Sequence, residues 1–263
     1  MIEVDLHLHT TPSDGRLTPP QLVQMCGERG LTVISITDHD STDALPEALE
    51  AARGFQGMTV IPGIELSTDV PDHEIHVLGY FVDYESTELQ RTLRRFRDGR
   101  ERRAQKIVEN LKDVGVEISW DRVQELSAGG AIGRPHIAQA MVEAGYVQYP
   151  RDAFDQYLGR AGIAYVERLK LTPAEAAGIL TDNGALPVMA HPTFSVSGSD
   201  GEEIAPLRSI FKELKMAGLA GFEVYYKDYS ADQVQRLASL AGELDLVPCG
   251  GSDYHASGNP GKK

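Results

Sequence analysis

Asp5-Leu6-His7-Leu8-His9-Thr10 closes a strand-like run that begins at Ile2, and Asp14 follows five residues after His9. Side chains alternate between the faces of a strand, so His7 and His9 point the same way from one strand end. Two imidazoles on one face with a carboxylate close behind can hold a transition metal. The pattern recurs along the chain. Thr37-Asp38-His39-Asp40, Pro62-Gly63-Ile64-Glu65, Ile75-His76-Val77-Leu78, Met189-Ala190-His191-Pro192 and Gly251-Ser252-Asp253-Tyr254-His255 each attach a ligand-type residue to an apolar run.

Around these motifs, short apolar or β-branched runs alternate with helical patterns. Candidate strands cover 2–8, 33–37, 59–64, 75–81, 186–190, 221–225 and 246–249. Candidate helices cover 19–29, 44–53, 173–183, 204–217 and 231–244. Thr18-Pro19 and Thr172-Pro173 both read as an N-cap followed by proline at the first helical position. Such alternation predicts an α/β fold with parallel strands. Residues 85–170 break the rhythm, being helix-rich with only a short candidate strand at Tyr165-Val166. Leu89, Leu93, Phe96, Ile107, Leu111 and Val114 fall at helical spacing, which predicts one long helix. The barrel domain is therefore expected over 1–84 and 171–263, with a helical insertion over 85–170.

The 263 residues can bury a sizeable core. A net charge of −14 argues against broad binding to duplex nucleic acid, and no apolar run is long enough for a membrane span. The strand-like start leaves no room for a targeting segment, and Cys26 and Cys249 form no CxxC pair. Both features lead us to expect a cytoplasmic protein. The final stretch, 258–263, reads as a loop after which a helix could follow. Nothing implies a protein partner.

A lone histidine beside an apolar run is more often a satisfied core or surface residue than a ligand. Repetition changes that reading, because the C-terminal ends of parallel barrel strands are where active sites assemble. Asp14, Glu65 and Asp253 buried there would need counter-charge. Imidazole with carboxylate and no thiolate suits manganese, zinc or iron. Nine ligands are too many for one ion and suit a cluster sharing a bridging carboxylate. Clusters of this kind commonly serve phosphoester hydrolysis, in which a metal-held hydroxide attacks phosphorus.

His7-Leu8-His9, Thr37-Asp38-His39, Gly63-Ile64-Glu65, His76, Ala190-His191-Pro192 and Ser252-Asp253-Tyr254-His255 resemble, in order, the signature of the PHP (polymerase and histidinol phosphatase) family. The resemblance implies a distorted seven-stranded (β/α) barrel with up to three divalent transition ions, manganese first and zinc or iron next. By motif, His7, His9, Glu65 and Asp253 fall on a first ion. Glu65 bridges to a second ion shared with His76 and His191, and Asp14, His39 and His255 fall on a third. Glu65, His191 and His255 are the implied catalytic residues, with His255 or a metal-bound water as the proton donor.

The insertion resembles the branch containing a 3',5'-nucleoside bisphosphate phosphatase and the exoribonuclease RNase AM. It carries Ile132-Gly133-Arg134-Pro135-His136 and an arginine-rich helix. Arg100, Arg103, Arg134 and His136 are candidate substrate contacts, since guanidinium offers a planar fork for phosphate. Arg91, Arg94, Arg95 and Arg97 read as a solvated face, and His73 as an exposed bystander. Asp40 is expected either to orient a ligating histidine or to cap a helix. Glu223 could support the site or be structural, Trp120 and Tyr165 are expected to pack in the core rather than to form a base-stacking wall, and Cys249 is expected to pack. The substrate implied is a nucleotide or short 5'-phosphorylated oligonucleotide. A small ester such as histidinol phosphate, or a non-catalytic binding module, is the alternative.

Overall fold

The computed structural model describes residues 3–70, 73–127, 130, 132–167, 171–192 and 205–256; the side chains of 69, 70, 73, 74, 205 and 206 lie outside that description. Seven strands stand in chain order in one curled sheet: β1 (Val4–Leu8), β2 (Val33–Ile36), β3 (Thr59–Val70), β4 (His73–Tyr80), β5 (Leu186–Met189), β6 (Gly221–Tyr226) and β7 (Val247–Gly251). All seven coincide with candidate strands to within a few residues, except that β3 runs six residues further. Neighbours are parallel apart from β4, which is antiparallel to both β3 and β5. Uniform alternation predicts parallel pairing there. The structure differs because two residues separate β3 from β4, whereas a parallel crossover needs a dozen or more. A hairpin is the only connection that length permits, and it extends β3 by pairing Gly63↔Tyr80 through Val70↔His73.

The sheet curls until β7 approaches β1. Leu8 bridges Tyr254, the His9 amide donates to the Tyr254 carbonyl at 3.0 Å, and the Ser252 amide donates to Asp5 Oδ1 at 2.9 Å. A Cβ on Gly251 would lie 2.3 Å from His7 Cβ, so glycine is what lets β7 close against β1.

The helices are α1 (Pro19–Glu28), α2 (Leu45–Ala52), α3 (Thr87–Asp113), α4 (Trp120–Leu126), α5 (Arg134–Glu143), α6 (Pro150–Ala153), α7 (Pro173–Asp182), α8 (Ala205–Met216) and α9 (Ala231–Leu244). A π-helical turn, Phe154–Leu158, follows α6. Both predicted caps form around a returning side chain. The Thr172 amide donates to Glu175 Oε2 at 2.8 Å, and the Thr18 amide to Gln21 Oε1 at 2.9 Å.

Apolar faces pack into separate cores. Leu22, Ile34, Ile36, Ile64 and Leu66 join α1, α2 and α7 to the first strands. Phe211 and Phe222 stack 4.1 Å apart between α8 and β6. Cys249 packs beside Leu78, Val188 and Ala190. The helical segment has its own core of Ile107, Leu111, Val123, Ile137, Met141 and Leu158, with Trp120 half-buried against it. Helix α3 spans the two bodies: Leu89 and Leu93 belong to the barrel core, Ile107 and Leu111 to the helical one. Tyr165-Val166 is not a strand but irregular chain following a turn at 161–164, where the Ala164 amide is bonded back to the Tyr157 carbonyl. The predicted tail loop and the His73 side chain lie outside the described residues.

Candidate metal centre

β1, β2, β5 and β7 deliver their candidate ligands at or just past their C-terminal ends, Glu65 lies midway along the extended β3, and β4, running the other way, carries His76 in its first half. Glu65 sits in the middle, fully buried. Its Oε1 is 2.8 Å from His76 Nδ1 and 3.5 Å from His191 Nε2. Its Oε2 is 3.1 Å from His39 Nδ1, 3.2 Å from His9 Nε2 and 3.3 Å from His7 Nε2. Asp253 Oδ1 lies 3.2 Å from His9 Nε2 and 3.4 Å from His7 Nε2. On the outer side, Asp14 Oδ1 is 3.2 Å from His255 Nε2, and Oδ2 is 3.9 Å from His39 Nε2.

All nine sequence-predicted ligands therefore converge. Their donor atoms form four groups, each within 4.8 Å: His7, His9 and Asp253; His7, Glu65 and His191; His39, Glu65 and His76; His9, Asp14, His39 and His255. Around Glu65, Oε1 faces His76 and His191, the two histidines the motifs put on one ion, while Oε2 faces His7, His9 and His39. Both ring nitrogens of His9, Asp14 Oδ1, Glu65 Oε1 and His76 Nδ1 are buried without a hydrogen-bond partner. An unsatisfied buried polar atom costs about 1–3 kcal/mol, and cations bound among these groups would satisfy them. The donor set fits divalent transition ions.

Burial opposes charge on His7, His9, Asp14, Glu65 and Asp253, yet their neighbours outweigh it. Histidines around Asp14 and Glu65 hold both carboxyls well below the usual range. Burial likewise works against His9, but Asp253 and Glu65 push it up to about 10. For His39 burial wins, and the ring falls to about 3. The site thus combines buried negative charge with two imidazoles, His7 and His9, that must lose a proton before they ligate, and one, His39, that is already neutral.

Supporting residues came less readily from the sequence. Asp38 is buried and accepts from the Thr10 amide at 2.7 Å, from Ser13 Oγ at 2.5 Å and from the Thr10 hydroxyl, fixing the loop that carries Asp14. Its place next to His39 was the available signal. Tyr226 donates to Asp253 Oδ2 at 3.0 Å, and Lys227 Nζ to the Ser252 carbonyl at 2.6 Å; neither shows a local motif. Glu223 is fully buried against His7 and His191. Asp40, His191 and Asp253 take positive φ (51°, 27° and 51°), an uncommon conformation for residues other than glycine. Such outliers cluster at functional sites.

The arginines divide. Arg100 donates through Nε to Asp40 Oδ2 at 2.5 Å and through Nη2 to Ser67 Oγ at 2.6 Å. Asp40 thus positions an arginine, where the sequence suggested a histidine or a helix cap. Arg103 donates to the Val166 carbonyl at 2.6 Å and lies over Tyr165, and Arg134 lies over Phe154. All three line one cavity of about 190 Å³ that reaches Asp14, His39 and His76. His136 lines a second cavity, about 630 Å³, with Ser13, Asp14, Arg16, Gln139 and His255. Its Nδ1 accepts from the Gly133 amide at 3.0 Å. The two cavities meet at Asp14. Arg91, Arg94 and Arg95 are exposed, as expected of a solvated face, whereas Arg97 pairs with Asp43 at 3.5 Å.

An α/β barrel with histidines and carboxylates gathered at its strand ends is the architecture of a metal-dependent hydrolase. Residues 5–100 match the PHP domain. The chain is 33% identical over 252 residues to the 5'-3' exoribonuclease Rnm of Salmonella typhimurium, covering 95% of this chain and 84% of that protein. It is 30% identical over 263 residues to the 3',5'-nucleoside bisphosphate phosphatase of Chromobacterium violaceum, covering 100% and 90%. A solved structure described as a metal-dependent phosphoesterase from Bifidobacterium adolescentis superposes with a TM-score of 0.87 at 30% identity, covering 98% and 90%. The chain belongs to the PHP family of metal-dependent phosphoesterases. Among the described residues no helix is long and apolar enough to cross a membrane.

Proposed function

We propose that this chain hydrolyses phosphate esters of nucleotides or of short 5'-phosphorylated oligonucleotides, using up to three divalent transition ions, manganese first and zinc or iron next. His7, His9, Glu65 and Asp253 would hold one ion, Glu65, His76 and His191 a second, and Asp14, His39 and His255 a third. Bound ions supply Lewis acidity and a nucleophile available at neutral pH. The observation that carries the reading is the cavity lined by Arg100, Arg103 and Arg134, which opens directly on the ligand cluster.

The protein's own groups prepare that chemistry. The three guanidiniums compensate the charge of phosphoryl oxygens, and Asp40 and Ser67 hold Arg100 in place. Ile107, Ile132, Ile137 and Phe154 give the same cavity an apolar wall. On the other side, His136 accepts from the Gly133 amide at Nδ1, and burial lowers its pKa. It is therefore neutral, with its proton on Nε2 as a donor along the second cavity. His255 stands at that mouth with Nδ1 tied to the Asp253 carbonyl at 3.0 Å.

Adenosine 3',5'-bisphosphate, a 5'-phosphorylated oligoribonucleotide and histidinol phosphate, compared in the presence of Mn²⁺, test the proposal. Turnover of either nucleotide substrate well above histidinol phosphate is expected. Turnover of histidinol phosphate alone would refute the nucleotide reading, and full activity in metal-free protein would refute the metal.

A further inference from the structure

Glu223 lies outside every ligand group, on β6, yet it is completely buried beside two histidines that belong to them. Its Oε1 is 3.0 Å from His7 Nδ1, and its Oε2 accepts the His191 backbone N–H at 2.6 Å. These histidines come from opposite parts of the sheet: His7 from β1, His191 from the turn after β5. Both partners are donors, and a carboxylate is the one side chain that accepts at both oxygens.

We infer that Glu223 is a positioning residue that sets two metal-facing histidines at once. Accepting from Nδ1–H leaves the His7 Nε2 lone pair directed at Glu65 and Asp253, 3.3 and 3.4 Å away. A ligating histidine held in this way by a carboxylate has both its ring orientation and its tautomer fixed. The second oxygen anchors the positive-φ turn at His191, whose Nε2 is 3.5 Å from Glu65 Oε1. One carboxylate thereby fixes the spacing between ligands on either side of Glu65. The inference rests on the cluster holding metal, as proposed above.

Glu223→Gln is the discriminating change. The amide keeps the shape but offers one acceptor and one donor, so either His7 Nδ1–H or the His191 amide must face an N–H group. Zn²⁺ affinity, measured by competition with a chelator, is expected to fall about 10–100-fold, with the circular dichroism spectrum unchanged. In Zn²⁺-loaded wild type, ¹⁵N spectra assigned with His7→Gln should show His7 protonated on Nδ1 and bound through Nε2. Zn²⁺ affinity within twofold of wild type in Glu223→Gln, or His7 protonated on Nε2 in the wild type, overturns the inference. The wild-type spectrum decides the matter even if the variant fails to fold. Wild type that binds no Zn²⁺ would instead overturn the metal reading, and this inference with it.

Discussion

Replacing Arg100 by methionine should cost stability before it costs anything else. Asp40 is 5% exposed and Arg100 is 19% exposed, and Nε and Oδ2 stand 2.5 Å apart. Removing one partner of a buried ion pair costs about 3–5 kcal/mol, because the other charge is left uncompensated. The guanidinium is not fully buried, and Asp40 Oδ1 keeps the Ser67 amide at 3.3 Å, so about 2–3 kcal/mol is the expected loss. For a chain of this size that corresponds to a fall in Tm of roughly 5 °C. Arg100→Lys should recover about half, since a lysine cannot reach Asp40 and Ser67 with one rigid fork. Urea unfolding of the metal-free protein measures these values, and a cycle with Asp40→Asn isolates the pair, with an expected coupling of about 1.5 kcal/mol or more. A loss below about 0.5 kcal/mol for Arg100→Met, or additive single changes, would show that the pair does not hold α3 to the barrel.

His9→Ala or Glu65→Ala should abolish hydrolysis of p-nitrophenyl phosphate with little change in the far-ultraviolet dichroism; activity within tenfold of wild type would contradict their place in the centre. Metal affinity should rise with pH. His9, held at about 10 by Asp253 and Glu65 against burial, must lose its proton to ligate, so acidification works against the metal. Calorimetry in buffers of different ionisation enthalpy should then show proton release on Mn²⁺ binding at neutral pH, and buffer-independent heats would count against it. Arg16→Ala, on the wall of the second cavity, is expected to raise KM for a 5'-phosphorylated oligonucleotide several-fold and leave p-nitrophenyl phosphate unchanged. Equal effects on both would remove that cavity from substrate binding. Gly251→Ala should weaken metal binding by displacing His7, whose Cβ lies 2.3 Å from the site of the added methyl group; unchanged affinity would refute the close fit at the barrel seam.

What could be read in the sequence is what local chemistry writes there. Strand periodicity placed the seven strands, proline-marked caps placed α1 and α7, and every candidate ligand except Asp14 stands in or beside a strand. His7, Glu65 and Asp253 needed no long-range knowledge to be found. The reversal at β4 was also present, in the two residues before His73, but alternation of elements hid it. The Arg100–Asp40 pair joins residues sixty positions apart, and Glu223 meets His7 across 216. Neither contact leaves any local periodicity. How nine candidate ligands would divide among ions depends on side-chain directions to within an ångström, which local sequence does not encode.

Because β4 runs down the barrel wall, the chain leaves it at the far end from the metal centre, and α3 climbs back as one unbroken helix. Its first turns are bolted to the barrel through Leu89 and Leu93, and its last turns carry the helical core through Ile107 and Leu111. The helix is therefore a ruler. One residue added between Leu93 and Arg100 would advance everything beyond by about 1.5 Å and rotate it by about 100°. Arg100 would swing away from Asp40 and Ser67, while Arg103 moved with the helical core, whose own packing would stay intact. In this stretch the length of the chain is under tighter constraint than the identity of its exposed residues.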